Sequence, residues 1–344
     1  MALKKKVKVE VKAAAAKAVK KPPTALTAAQ KVFQALKKDK KFTSESEVLF
    51  DPDAPLDTAT HWIQMPHPWK QLTGTPGVPF GQVTTIQGKP DSGKTTIAMH
   101  SMVEAQEQGF NVVLIDTEHK FNRKRLRSMG GDLTNYFHVK CDTIEEGFDA
   151  IDRLLVQYAQ VSEQPVLFVW DSLGQTPTDE EFKGDARKIT VASAAKVIKK
   201  NLRRIRSKLA RTNSAVVFIN HVYDNINALF GNSVKGYGGN GAYFASSLCL
   251  EVQRIRNKEV QTDKVKRVIG IVSGIKCTKN HLSDVQGGKA QMVIGSTGIE
   301  ADSVTDLKGK GDDGIDDIED LDLDDIDTPM GPKARTKNGR EVSL

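Results

Sequence analysis

The sequence predicts an α/β protein: a mainly parallel, helix-covered sheet, preceded by a short N-terminal helix and flanked by charged tails without fixed structure. Three observations carry that prediction. Short continuous apolar runs recur along the middle of the chain, longer stretches of helical periodicity alternate with them, and a glycine-rich loop joins one run directly to one helix. Continuous apolar runs suit strands covered on both faces, and strands alternating with helices suit parallel pairing.

The expected strands are Val83 to Gln87, Val112 to Asp116, Val166 to Asp171, Val216 to Asn220 and Leu248 to Val252. Helices are expected at Thr95 to Gln108, Ile144 to Val161 and Ala192 to Ala210. Together these define a core over 61–299. Residues 1–25 are a Lys/Ala/Val mixture ending in Pro22-Pro23, which reads as a solvated basic arm. From Thr27 to Leu36 the pattern is helical, with Ala28, Val32, Phe33 and Leu36 on one face. That helix lies outside the core and needs a surface to pack against, so 26–60 reads as a polymerisation segment. Beyond Ile299 the apolar pattern dissolves into Gly, Lys and Asp, and 300–344 is expected to be a disordered linker and acidic tail.

With 344 residues, 39% of them hydrophobic, the chain is long enough for one large core with appendages. Cys141, Cys249 and Cys277 are far apart and fit neither a metal pattern nor a disulfide framework, which points to a reducing compartment. No stretch reaches the roughly 20 apolar residues of a membrane span, and the Lys4-Lys5-Lys6 start lacks an apolar leader, so neither a membrane span nor a signal peptide is expected. The net charge of +7 is unevenly spread. Residues 1–41 hold thirteen lysines against Glu10 and Asp39, whereas Asp312 to Asp327 holds ten acidic residues and no basic one. A basic arm and an acidic tail thus flank a mildly basic core.

Gly88-Lys89-Pro90-Asp91-Ser92-Gly93-Lys94-Thr95 is a complete G-x-x-x-x-G-K-[ST] loop placed after a strand and before a helix. Glycines let backbone N–H groups curl around phosphates, and the helix N-terminus adds positive potential. Lys94 can reach the β and γ phosphates, and the Thr95 hydroxyl can ligate Mg²⁺. Asp171 ends an apolar run, the position from which a second carboxylate holds that metal through water. Glu118 follows the Val112 to Asp116 run, where a carboxylate can polarise the water attacking a γ-phosphate. A surface Glu in a turn is the competing reading of Glu118.

Over these residues the core resembles the RecA family. Gly88 to Thr96, Ile115-Asp116-Thr117-Glu118-His119 and Asp171-Ser172 are similar to its phosphate loop, catalytic-Glu segment and metal aspartate. The resemblance implies a RecA-like phosphate-loop ATPase using ATP and Mg²⁺, with Glu118 as general base beside Lys94. Phe218-Ile219-Asn220-His221 resembles the strand end that senses the γ-phosphate. There RecA has Gln, and His221 resembles phage recombinases of the UvsX type instead, as do Leu126 to Gly130 and Asp171 to Gly174. A buried, satisfied histidine is the alternative. Asn122, Arg125, Ile294 and Gly295 fall where the family contacts adenine, although RecA has Asp, Tyr and Tyr in place of the first three.

The resemblance also implies DNA contacts. Phe230, Gly231, Asn232, Gly238 and Gly239 match the second DNA-binding loop. Lys196, Lys199 and Arg203 fall on DNA-facing positions within a basic helical stripe, although such a stripe by itself is more often simply a solvated face. The segment Glu180 to Thr190 resembles the first DNA loop only loosely. Lys279 and His281 match the stretch that reaches a neighbouring subunit's ATP, with His281 standing where RecA has lysine. The small folded C-terminal domain of RecA has no counterpart after Gly298-Ile299, which leaves the Lys-rich arm as the candidate for capturing duplex DNA.

The implied protein is a DNA-dependent ATPase that forms helical homo-oligomeric filaments on single-stranded DNA and pairs it with duplex DNA. It would act in the cytoplasm of a bacterium or phage-infected cell alongside single-strand-binding and mediator proteins. A hexameric helicase with the same fold would need a partner-binding domain that 1–60 does not accommodate. A non-catalytic DNA-coating module fits poorly with an intact Lys94, Thr95, Glu118 and Asp171 set.

Overall fold

The structure is a computed structural model. It describes residues 61–300 apart from 67, 163, 185–190, 225–233, 237–240 and 263–264, together with two-residue strands at 305–306, 334–335 and 341–342. The basic arm, the Thr27 to Leu36 helix, the loop residues Phe230, Gly231, Asn232, Gly238 and Gly239, and the acidic run Asp312 to Asp327 lie outside the described residues.

A short hairpin-like pair opens the described chain: β1 (Trp62–Gln64) runs antiparallel to β2 (Gly77–Pro79), with α1 (Trp69–Thr73) between them. Alternation then begins with β3 (Val83–Gly88), α2 (Lys94–Glu107), β4 (Asn111–Asp116), α3 (Arg123–Ser128), β5 (Phe137–Lys140), α4 (Ile144–Val161) and β6 (Val166–Asp171). It continues through α5 (Asp179–Lys183), α6 (Val191–Arg211), β7 (Ala215–Asp224), β8 (Val234–Gly236) and α7 (Gly241–Ala245). The chain closes on β9 (Leu248–Thr262), β10 (Val265–Asn280), β11 (Lys289–Gly295) and β12 (Gly298–Ile299).

The main sheet has the order β12-β11-β10-β9-β3-β7-β6-β4-β5. From β9 to β5 the neighbours are parallel; from β9 to β12 they are antiparallel. Both faces are covered, which explains the continuous apolar runs. Along β6, Leu167 and Val169 join one core cluster, while Phe168 and Trp170 join the other. Ile97 and Met102 of α2 pack on the first face. On the second lie Phe148, Ile151 and Leu155 of α4 with Ile198, Leu202 and Ile205 of α6.

Helix α4 shows why such a segment folds locally. Thr143 caps it by accepting the Glu146 N–H at 3.3 Å, and Glu145 and Glu146 sit in its first turn, where negative charge favours the helix dipole. Its buried residues Ile144, Phe148, Ile151 and Leu155 repeat at helical spacing. Gly147 admits the Trp170 indole, since a Cβ there would stand 2.2 Å from Cζ-ring carbon Cη2. Truncating Phe148 to Ala would cost about 3–5 kcal/mol of stability.

Two short strand pairings lie beyond Ile299. Thr305–Asp306 pairs antiparallel with β11, opposite Ala290 and Gln291. Ala334–Arg335 pairs with Glu341–Val342 across a segment containing Asn338-Gly339. The first pairing needs no apolar pattern, because it satisfies backbone groups along the edge of β11.

Candidate nucleotide site

In a parallel sheet the carboxyl ends of the strands converge on one edge, and the sequence-predicted residues meet there. Gly88 of β3 lies in register with His221 of β7, and Asp116 of β4 with Asp171 of β6. These ends border a cleft of about 690 Å³, a size suited to a small-molecule ligand.

The loop after β3 has little conformational choice. A Cβ on Gly88 would stand 2.1 Å from the Val252 carbonyl oxygen, and one on Gly93 would stand 2.2 Å from Ile294 Cδ1. Asp91 and Gly93 both have positive φ, 58° and 99°. Helix α2 starts at Lys94 with no side-chain cap, so its first N–H groups remain available to an anion.

Lys94 is 4% exposed, and its Nζ donates to the Lys89 carbonyl at 2.6 Å. Burial lowers its pKa to about 8, against the opposing pull of Asp171, Glu118 and Asp91. Thr95 Oγ1 donates to Asp171 Oδ2 at 2.9 Å. Burial pushes Asp171 up to about 6; the Thr95 bond lowers it, and the nearby Glu118 and Asp116 charges raise it further. A buried cation and a buried anion are thus each under-compensated. The Ser92 hydroxyl is also buried without a hydrogen-bond partner among the described residues.

These observations fit a phosphate chain with a divalent cation. Phosphate oxygens would complete Lys94 and Ser92, and a hard cation would complete Thr95 and Asp171. Among the described residues no cluster of three or more His, Cys, Asp or Glu side chains could hold a metal by itself. A cation here would therefore draw its remaining oxygens from phosphate and water, as Mg²⁺ does.

Glu118 borders the same cleft. Its Oε1 accepts from Ser172 Oγ at 2.5 Å and from His221 Nε2 at 3.2 Å, and its Oε2 lies 3.6 Å from Lys120 Nζ. The His221 hydrogen bond, followed by the Ser172 bond and the His221 and Lys120 charges, outweighs burial and lowers its pKa to about 2. Glu118 is therefore a fixed, ionised acceptor. Because the carboxylate is ionised, the shared proton belongs to His221 Nε2; Nδ1 is buried without a partner among the described residues.

The base end of the cleft departs from simple expectation. Arg125 Nη2 donates to Thr96 Oγ1 at 3.1 Å and to the Gly295 carbonyl at 3.0 Å. Ile294 and Gly295 line the cleft beside it, but Asn122 does not: its side chain caps α3 by accepting the Arg125 N–H at 3.1 Å. Lys120, Gln175, Arg254 and Ile271 also border the cleft and were not singled out from sequence. Lys120 had the available signal of lying two residues from Glu118. Arg254 and Ile271 had none, because strand pairing brings them in from the β9/β10 arm.

The expected DNA-facing residues Lys196, Lys199 and Arg203 are exposed on α6. Arg204 and Lys208 of the same helix instead pair with Asp149 and Asp152 of α4, at 2.6 and 2.5 Å. The basic stripe thus divides into a half that ties helices together and a half that faces solvent. Lys279 lies apart from the cleft lining, where its Nζ donates to the Tyr243 and Phe244 carbonyls at 2.9 and 3.0 Å and caps α7. The His281 side chain is exposed.

A phosphate loop at the carboxyl edge of a helix-covered parallel sheet, with a Thr–Asp cation pair and a fixed carboxylate, defines the phosphate-loop nucleotide-binding class of α/β proteins. The model of the RecA N-terminal domain matches residues 67–300. The chain belongs to the RecA family. It is 32% identical to Protein RecA of Ureaplasma parvum over 213 residues, which is 62% of this chain and 61% of that protein. It is 30% identical to Protein RecA of Mesomycoplasma hyopneumoniae over 244 residues, 71% of this chain and 69% of that protein. With Protein RecA of Aquifex pyrophilus it shares 32% identity over 183 residues, 53% of this chain and 51% of that protein. The matched region thus spans about three fifths of the Ureaplasma relative's length. Among the described residues no helix is long and apolar enough to cross a membrane.

Proposed function

We propose that this chain is an ATP-dependent DNA recombinase that polymerises on single-stranded DNA and promotes its pairing and strand exchange with a homologous duplex. One observation carries the reading: Lys94, Thr95, Asp171 and Glu118 border a single cleft, in a chain of the RecA family. Membership alone gives the fold, and the preserved set supports a working ATPase.

The mechanism follows from the geometry. Loop N–H groups and Lys94 bind the β and γ phosphates, and Thr95 with Asp171 would hold Mg²⁺. That cation, when bound, supplies neutralisation of the charge that develops on the phosphates. Glu118 accepts a proton-bearing water through its ionised carboxylate and orients it, while Ser172 and His221 fix the carboxylate's position. At a pKa near 2 Glu118 is a weak base, so its contribution is chiefly orientation and electrostatic, with proton transfer late. His221, in register with Gly88 at the loop's first residue, links the nucleotide site to β7, whose chain continues into the proposed DNA loop.

Lys196, Lys199 and Arg203 are the proposed backbone contacts to DNA, joined by the loop residues Phe230, Gly231, Asn232, Gly238 and Gly239. Lys279 and His281 are proposed to reach a neighbouring subunit's nucleotide; Lys279 must leave its carbonyl partners to do so. Bacterial or phage-infected cytoplasm is the proposed setting, with single-strand-binding and mediator proteins as partners. The test is ATP hydrolysis with and without single-stranded DNA, followed by strand exchange between a circular single strand and a linear duplex. DNA-stimulated hydrolysis with joint-molecule formation supports the reading; hydrolysis indifferent to DNA and no joint molecules contradicts it.

A further inference from the structure

One cation at the Glu118 end of the cleft has no structural work to do. Lys120 lies two residues beyond Glu118 and borders the cleft together with Lys94, Thr95, Asp171 and His221. Its side chain is 77% exposed, and among the described residues its one ionic partner is Glu118, whose Oε2 stands 3.6 Å from Nζ. An ion pair so open to solvent adds little to stability. The turn that carries it is unusual: His119, between the two, has a positive φ of 53°, uncommon for a residue with a Cβ, and its ring meets Asp142 at 3.2 Å. The other cations bordering the cleft are held by protein acceptors: Lys94 by the Lys89 carbonyl, Arg125 by Thr96 and the Gly295 carbonyl, and Arg254 by Asn257. Glu118 Oε1 accepts from both Ser172 and His221, whereas Oε2 accepts no hydrogen bond among the described residues. Oε2 is therefore the oxygen left to hold a water, and Lys120 stands beside it.

We infer that Lys120 is a further catalytic residue of the hydrolysis: its ammonium bridges Glu118 Oε2 and an oxygen of the γ-phosphate, and supplies from the same chain a positive charge to the transferring phosphoryl group. The need for such a charge is electrostatic. A water oriented by an ionised carboxylate attacks a phosphate that is itself anionic, so two like charges face each other across one water. In that step the water oxygen bonds to the γ-phosphorus while the bond to the β,γ-bridging oxygen breaks and its electron pair leaves with ADP; the water's proton passes to Glu118 and from it to the released phosphate. Negative charge spread over the phosphoryl oxygens is what a cation in place stabilises. Lys94 approaches those oxygens from the loop, and Lys120 approaches from the side of Glu118. Its long, solvated side chain can shift toward them without giving up a hydrogen bond. This inference rests on the proposal that the cleft hydrolyses a nucleoside triphosphate.

The test uses the full chain with Mg²⁺, ATP and saturating single-stranded DNA, and compares Lys120→Ala and Lys120→Arg with the unaltered protein. In Lys120→Ala kcat should fall by about 10²-fold, the cost of removing one donor to transition-state charge, with KM changed by less than about threefold. Lys120→Arg restores the charge and should recover most of the loss. A second readout separates catalysis from structure: affinity for Mg²⁺ and ADP should be alike in all three proteins, whereas the tightening of ADP by aluminium fluoride, which mimics the transferring phosphoryl group, should disappear in Lys120→Ala. Hydrolysis by Lys120→Ala within about twofold of the unaltered protein overturns the inference. So does an equal weakening of ADP with and without aluminium fluoride, which marks a residue that only binds. An unaltered chain that binds no triphosphate overturns the reading of the site itself, and this inference with it.

Discussion

His221 Nε2 lies 3.2 Å from Glu118 Oε1, joining the last polar residue of one strand to the fixed carboxylate beyond another. This contact is the largest cause holding Glu118 ionised. Removing it in His221→Ala should let the Glu118 pKa rise from about 2 toward its ordinary value of 4.5. Sign follows: a carboxylate works here as its anion, so the acid side of the hydrolysis profile should move to higher pH in the variant. A kcat–pH profile between 3.5 and 7, at nucleotide and Mg²⁺ concentrations that keep the cation site filled and Asp171 ionised, checks this; superimposable acid limbs for the two proteins contradict it.

Glu118→Gln keeps the size of the side chain and removes its charge. Nucleotide binding should persist while hydrolysis falls by about 10²–10⁴. Lys94→Ala differs, since it removes the buried cation under the phosphates; binding should be lost while the thermal unfolding transition remains. Calorimetric titration beside single-turnover hydrolysis separates the two variants. Normal hydrolysis by Glu118→Gln contradicts its assignment.

The opposed shifts of Lys94 and Asp171 predict a pH window for binding. Lys94 sits near 8 in the free site and must be charged to hold phosphate, so affinity should fall about tenfold per pH unit above 8. Asp171 sits near 6 and must be ionised to hold a cation, so Mg²⁺-dependent affinity should fall below 6. Titrations at pH 5, 7 and 9 with and without Mg²⁺ check both limbs. In Asp171→Asn the acid limb should disappear together with most of the Mg²⁺ dependence.

The acidic run Asp312 to Asp327 carries ten carboxylates tethered to a protein with exposed lysines and arginines. Such a run should compete with DNA at high effective concentration. Truncation after Gly311 should raise duplex-DNA affinity at about 50 mM salt, with the gain shrinking as salt screens the interaction. Deleting residues 1–25 should remove much of that gain. Equal duplex affinity for truncated and full-length chains at low salt leaves the tail with a solubilising role alone.

Much of this was legible in the chain because the relevant signals are local. The loop from Gly88 to Thr95 announces itself by spacing, and the buried strands by runs such as Val166 to Trp170, which need no distant partner to be recognised. Asp171 and Glu118 could be placed because strand ends in a parallel sheet share one edge. The antiparallel extension was not legible: β10 mixes Val, Lys, Arg and Gly along a half-exposed arm, so no periodicity marks it, and β9 runs on to Thr262 beyond its apolar start at Leu248–Val252. The same arm supplies Arg254 and Ile271 to the cleft. Asn122 is taken up by its own helix. Its Oδ1 caps α3, a role that its position just before the helix makes natural and that sequence alone does not single out.

The most direct test of the account is electron microscopy of the full chain with single-stranded DNA, Mg²⁺ and the β,γ-imido analogue of ATP. The account predicts continuous helical filaments along the DNA, absent without nucleotide and absent with Lys94→Ala. Closed rings, or DNA bearing no ordered polymer, would contradict it.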